Sequence, residues 1–208
     1  MPHESPAPLL LVISAPSGAG KTTVCERLLA ATPNLTRAIT CTTRPPRDGE
    51  KEGVDYYFLD PESFLKRVQA GLFVEHATVY GQSYGTLKSE LLDKLRLGKD
   101  VLLNVDVQGA ASIRLRARTD GALQRSLATA FLTTPSVQVL EERLKRRGKD
   151  SPEVIQRRLA VARQEIAQWR QFDYLVISTT IEEDLRRMGV IYEAEKMRQA
   201  RAPAPLWD

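Results

Sequence analysis

One segment constrains this chain more than any other: PLLLVISAPSGAGKTTVCERLLAA, residues 8–31. An apolar run of strand length leads into a turn of small residues, and then into a helical stretch that Pro33 ends. The pattern GxxxxGK(S/T) is met at Gly20, Lys21 and Thr22, with Ala15 in the place of the first glycine. Strand, glycine-rich turn and helix N-terminus in this order make a seat for phosphate. Gly18 and Gly20 let backbone N–H groups turn inward, and the helix N-terminus adds positive potential. Lys21 can reach the terminal phosphates, and the Thr22 hydroxyl can reach Mg²⁺. Ala15, Pro16, Ser17, Gly18, Ala19, Gly20, Lys21 and Thr22 are therefore the expected cradle of a nucleoside triphosphate. The motif leaves open whether water, a protein or a small molecule receives the phosphate.

Around this segment the chain alternates strands and helices. Strands are expected at 35–40 (LTRAIT), 54–59 (VDYYFL), 100–107 (DVLLNVDV, the most apolar and so expected to be central), 128–132 (ATAFL) and 173–178 (DYLVIS). Helices are expected after Asp60-Pro61, with Phe64, Leu65 and Val68 inward, and over about 86–97, with Leu87, Leu91 and Leu95. Two more begin at Ser136 and at Ser151-Pro152, and another ends the chain. In the first helix Val24, Leu28 and Ala31 form the expected inner face. The alternation predicts an α/β fold: a P-loop NTPase-like three-layer α/β/α arrangement around a parallel sheet. A length of 208 residues suits one domain over 9–200, with a tail of 1–8 and a loose tail of 201–208. No run approaches the ~20 apolar residues that span a bilayer. MPHESPAP lacks the basic and apolar regions of a signal peptide, and a cytoplasmic location is expected. Cys25 and Cys41 form no metal or redox spacing and read as reduced thiols. The net charge of +4 matches a bound polyphosphate; no dense basic tail or interleaved aromatics suggest nucleic acid.

A second anion site is signalled by ITCTTRPPRDGE, residues 39–50. Two prolines stiffen a loop that carries Arg44 and Arg47, each a bidentate fork for phosphate. Tyrosines stand beside glycines downstream, in GVDYYF and YGQSYGT, where Tyr56 and Tyr84 can offer neutral hydroxyl donors. With the cradle SAPSGAGKT, with TTRPPRDGE, with F-V-E at 73–75, D-V-Q-G at 106–109, RLKRRG and RRL, the chain resembles the bacterial-type guanylate kinase family from about residue 9 to 199. The resemblance implies ATP as phosphoryl donor with Mg²⁺, GMP as acceptor, no nucleic-acid or membrane partner, and leaves monomer or homodimer open. It implies that Arg44, Arg47, Tyr56 and Tyr84 hold the GMP phosphate, and that Thr40, Glu75, Thr86 and Asp106 surround guanine. The chemistry agrees. Guanine presents N1–H and the exocyclic amine side by side, and one carboxylate, Glu75, accepts both. Its O6 wants a donor such as Thr40 or Thr86. Adenine would set an acceptor against the carboxylate.

The resemblance divides the domain into a core (9–35, 97–135 and 170–200), an inserted GMP-binding region (36–96) and a helical lid (about 136–165). From the lid's basic run, EERLKRRGKDSPEVIQRRL, Arg143, Arg147 and Arg158 would close on the transferring phosphates. Such closure positions the reactants, stabilises charge and excludes water. Two features depart from the family. Asn104 stands where an aspartate is usual, on the strand face expected to share Asp106 and look at the metal, where its amide could act through a metal-bound water. VISTT at 176–180 replaces a common Asn-Asp pair near the donor base. Two alternatives stay open: an inactive guanylate-kinase-like module that binds proteins, and a P-loop kinase for another small phosphate such as a ribose bisphosphate. The retained Lys21, Arg44, Arg47 and Arg147 count against the first; Glu75, Thr86 and Asp106 count against the second.

Overall fold

The computed structural model describes residues 7–79, 81–148 and 150–203. Most of the two expected tails, with Tyr80 and Lys149, lies outside the described residues. In chain order, β1 (Leu10–Ser14) feeds α1 (Lys21–Ala31), and β2 (Leu35–Arg37), β3 (Thr40–Thr42) and β4 (Tyr56–Phe58) follow. Next come α2 (Pro61–Gln69), β5 (Phe73–Val79), β6 (Gln82–Leu87) and α3 (Lys88–Arg96). β7 (Asp100–Asn104), α4 (Val107–Ala117), α5 (Gly121–Ser126) and β8 (Leu127–Thr133) return the chain to the core. The paired helices α6 (Val137–Arg147) and α7 (Pro152–Ile166), then β9 (Tyr174–Ile177) and α8 (Ile181–Met197), complete it.

β2, β7, β1, β8 and β9, in that order, form a five-stranded parallel sheet. β1 pairs on both edges and is buried on both faces, which is why its sequence is an unbroken apolar run. Leu9, Leu11 and Ile13 pack under α1 and α8; Leu10 and Val12 pack under α3, α4 and α5. The result is the expected α/β three-layer arrangement. β1, not the 100–107 segment, is the central strand. β7 stops at Asn104, because Asp106 turns out of the sheet to cap α4, its side chain accepting the Gly109 N–H at 2.8 Å. Asn104 and Asp106 therefore do not share a strand face.

The 35–40 segment is two strands, not one. β2 lies in the parallel sheet, while β3 joins a second, four-stranded sheet in the order β4-β3-β6-β5. Cys41, Phe64 and Phe73 form the small core of this sheet with α2. Leu65 faces solvent at 54% exposure, and Ala31 is also exposed, so the α1 inner face is Val24, Cys25 and Leu28. Residues 86 and 87 belong to β6, and the helix after them begins at Lys88. α6 and α7 enclose a core of their own: Leu140, Leu144, Ile155, Leu159 and Ala162.

Candidate active site

The site lies at the carboxyl ends of β1 and β7, where parallel sheets of this kind bind ligands. After Ser14 the chain loops through residues 15–20 into α1, and this loop walls a cavity of about 500 Å³. Gly18 has φ +92°, and a Cβ there would stand 2.8 Å from Leu144 Cδ2. Only glycine lets the loop take this turn and lets α6 press against it. Arg143 crosses from α6 to the loop, donating to the Ala19 carbonyl at 3.3 Å and to Ser178 Oγ at 2.9 Å. Arg147 and Glu165 complete the wall. Lys21 donates to the Val105 carbonyl at 2.8 Å, and burial pulls its ammonium below the ordinary lysine range, against the attraction of Cys25, Asp106 and Glu165.

A second cavity of about 520 Å³ opens between the two sheets. Thr40 on β3, Arg44 and Arg47 on the proline loop, Tyr56 on β4, Glu75 on β5 and Tyr84 on β6 all line it, with Asn104 and Asp106 at its core side. Arg44 is fixed from several directions. Its Nη2 donates to both Glu50 oxygens at 2.8 and 2.9 Å, its Nη1 to the Pro45 carbonyl at 2.6 Å, and its Cζ lies 5.4 Å from the centre of the Tyr56 ring. The Arg47 N–H, then the Arg44 guanidinium, hold the Glu50 carboxyl below the usual carboxylate range.

Glu75 is 5% exposed. Its Oε1 accepts the Thr86 hydroxyl at 2.6 Å, and its Oε2 faces Gly109, where a Cβ would approach to 3.1 Å. Burial pushes this carboxyl up to about 7, and the nearby Asp106 charge pushes the same way, while the Thr86 hydroxyl pulls it down. The two cavities share Lys21, Thr22 and Asp106.

The cradle 15–22 and the acceptor-side residues thus converge on one junction. Asn104 and Thr22 both stand on the second cavity's wall. Arg158 does not join them: it pairs with Asp150 at 2.9 Å, beside the α6–α7 turn, and lines neither cavity. Thr86 is fully buried, with its hydroxyl committed to Glu75. Two charged wall residues, Arg37 and Glu165, escape the sequence reading, and so does Glu50 behind Arg44. A glutamate on an amphipathic helix reads as solvated, and an arginine closing a short strand reads the same way.

A family model described as guanylate kinase matches residues 8–195. The guanylate kinase of Coxiella burnetii is 42% identical over 190 residues, spanning 91% of this chain and 89% of its own. The chain belongs to the guanylate kinase family. The guanylate kinase of Maricaulis maris is 37% identical over 195 residues, spanning 94% of this chain and 87% of its own. The crystal structure of guanylate kinase from Anaplasma phagocytophilum superposes with a TM-score of 0.73 at 34% identity, covering 96% of this chain and 91% of that one. Both the parallel core and the second sheet fall within these matches. Among the described residues no helix is long and apolar enough to cross a membrane.

Proposed function

We propose that this guanylate kinase family member transfers the γ-phosphate of ATP to GMP, giving ADP and GDP. One observation carries the reading: two cavities of similar size, one walled by a phosphate cradle and the other by three arginines, two tyrosines and a buried carboxylate, meet at Lys21, Thr22 and Asp106. ATP would lay its phosphates along residues 15–22, with Arg143 and Arg147 against them. GMP would set its phosphate on Arg44, Arg47, Tyr56 and Tyr84 and its base against Thr40, Glu75, Thr86 and Asp106. The acceptor phosphate then faces the donor's terminal phosphate at Lys21, which can follow the transferring group from one site to the other. No side chain needs to bond covalently to it. Arg158 would join only if the lid turn opens its pair with Asp150.

Mg²⁺ fits the junction. Thr22, Asn104 and Asp106 present hydroxyl, amide and carboxylate oxygens, hard donors that suit it, and Asn104 would act through a water ligand. Bound there, the ion would neutralise phosphate charge. We further read residues 36–96 as the acceptor-binding region, 136–165 as the lid, and the rest of 9–200 as the core.

The test is a coupled assay with ATP, Mg²⁺ and a panel of nucleoside monophosphates. GMP should be the best acceptor, with dGMP comparable or weaker and AMP, CMP and UMP poor. AMP or a pyrimidine nucleotide turning over as well as GMP would overturn the acceptor assignment.

A further inference from the structure

Two acids line the cavity assigned above to the donor's phosphates, Asp106 and Glu165. Asp106 caps α4 through Oδ1 and is already given a role toward the acceptor base and Mg²⁺ above. Glu165 sits in the last turn of α7 and is half-buried against the loop that seats phosphate. It shares that cavity with Ser17, Gly18 and Lys21 of the loop, and the Lys21 ammonium opposes its charge. Its Oε2 is enclosed and has no hydrogen-bond partner among the described residues. A carboxylate thus stands in the cradle's cavity in the field of the cradle lysine, where such a loop is built to hold a phosphate oxygen.

The placement costs something. Burial pushes the Glu165 carboxyl above the usual range, with Lys21 opposing, so the seat holds an incompletely solvated anion. A triphosphate brought into the same cavity would meet that charge at short range, where like charges repel strongly.

We propose that Glu165 stands in for a phosphate oxygen in the nucleotide-free cradle and tunes donor affinity, because it has to leave when ATP enters. The proposal rests on the donor assignment above. Glu165 is a positioning residue here: it acts through the cradle and on no reacting atom. Its exit would disturb the last turn of α7. That helix shares a closed apolar core with α6, whose Leu144 rests on Gly18. Donor entry and lid movement are then one event.

The experiment measures ATP binding by calorimetry, with Mg²⁺ and without GMP, in wild type, Glu165→Gln and Glu165→Ala. Gln keeps the shape and removes the charge; Ala removes both. Both variants should bind ATP at least fivefold more tightly than wild type, and Glu165→Gln should leave KM for GMP within twofold. A residue that merely braced the loop would give the opposite sign. Unchanged or weaker ATP binding in either folded variant overturns the proposal. Failure of the transfer reading would appear separately, as absence of GDP formation by the wild type, and would leave this comparison of binding constants intact.

Discussion

Lys21 is a part-buried ionisable group at the junction and Glu75 a buried one in the acceptor-side cavity, and burial weakens the charge of each. Lys21 donates to the Val105 carbonyl, at the rim of the sheet. Lys21→Ala should therefore fold normally by circular dichroism, yet lose turnover by roughly 100-fold or more; unchanged turnover with ATP and GMP would refute its role. Arg44→Ala and Arg47→Ala should each weaken GMP more than ATP, by about 1.5–3 kcal/mol per lost charged hydrogen bond. A loss confined to ATP would move the proline loop to the donor side. Glu75 carries a pH signature. Guanine binding needs the ionised carboxylate, so kcat/KM for GMP should fall about tenfold per pH unit below about 7, and Glu75→Gln should flatten that limb. Stability runs the other way. The folded state holds the proton more tightly than the unfolded chain does, so the empty enzyme loses about 3 kcal/mol as pH rises from about 4.5 to about 7. Glu75→Gln should also cut efficiency for GMP far more than for IMP, which lacks the exocyclic amine. An unchanged GMP-to-IMP ratio would mean that Glu75 does not read that amine.

Among the elements, β1, α1, α6, α7 and the Asp60 cap of α2 were legible, because each pairs a start signal with a clean period: Ser136 caps α6, Ser151 caps α7, and Asp60 accepts the Ser63 N–H. The β5–β6 hairpin was not, since Glu75, His76 and Gly85 interrupt any apolar alternation, Glu75 because its face of the hairpin lines a cavity. α4 was hidden by DVLLNVDVQGAA, which reads as one long strand until Asp106 is seen to cap. The split at Ala38-Ile39 has no turn residue to announce it; the Ala38 N–H stays on the Leu102 carbonyl while the Ile39 N–H moves to Glu90. Cavity residues were legible where chemistry dictates type, as at Lys21 and Arg44, while Glu75 was legible only through the family resemblance. Glu165 was not, because its placement depends on how α7 docks. That docking offers its own test. Gly18→Ala puts a methyl against Leu144 at positive φ, and should cost about 1–3 kcal/mol and weaken ATP binding. Adding Leu144→Ala relieves the clash but not the φ strain. The double-mutant cycle should show favourable coupling of about 0.5–3 kcal/mol; strict additivity would mean that α6 does not bear on the loop.

Across the whole molecule, the two ends of the parallel sheet do different work. The carboxyl ends of β1 and β7 open into the cavities, with a raised Glu75 and a partnerless Glu165 oxygen. At the opposite end a buried acid has its partners. Asp100, at the start of β7, is completely buried and accepts from the Leu9 N–H at 2.7 Å, the Tyr192 hydroxyl at 2.6 Å and the Lys196 ammonium at 2.9 Å. It ties the segment before β1, the start of β7 and the terminal helix α8 into one knot, far along the sheet from Lys21. Asp100→Ala would orphan the Leu9 N–H and the Tyr192 hydroxyl and leave a lysine half-buried without its partner. Removing one member of a buried pair typically costs about 3–5 kcal/mol, a large part of a domain's total stability. Asp100→Asn keeps acceptors for part of the network but removes the charge facing Lys196, and should cost less. Neither substitution reaches the cavities, so KM for ATP and for GMP in whatever protein remains folded should match wild type. The measurements are chemical denaturation midpoints and initial rates below the unfolding range. A variant with normal stability, or one whose KM for GMP rises while its stability holds, would show that the knot is coupled to the site and that stability and catalysis do not divide along the strands.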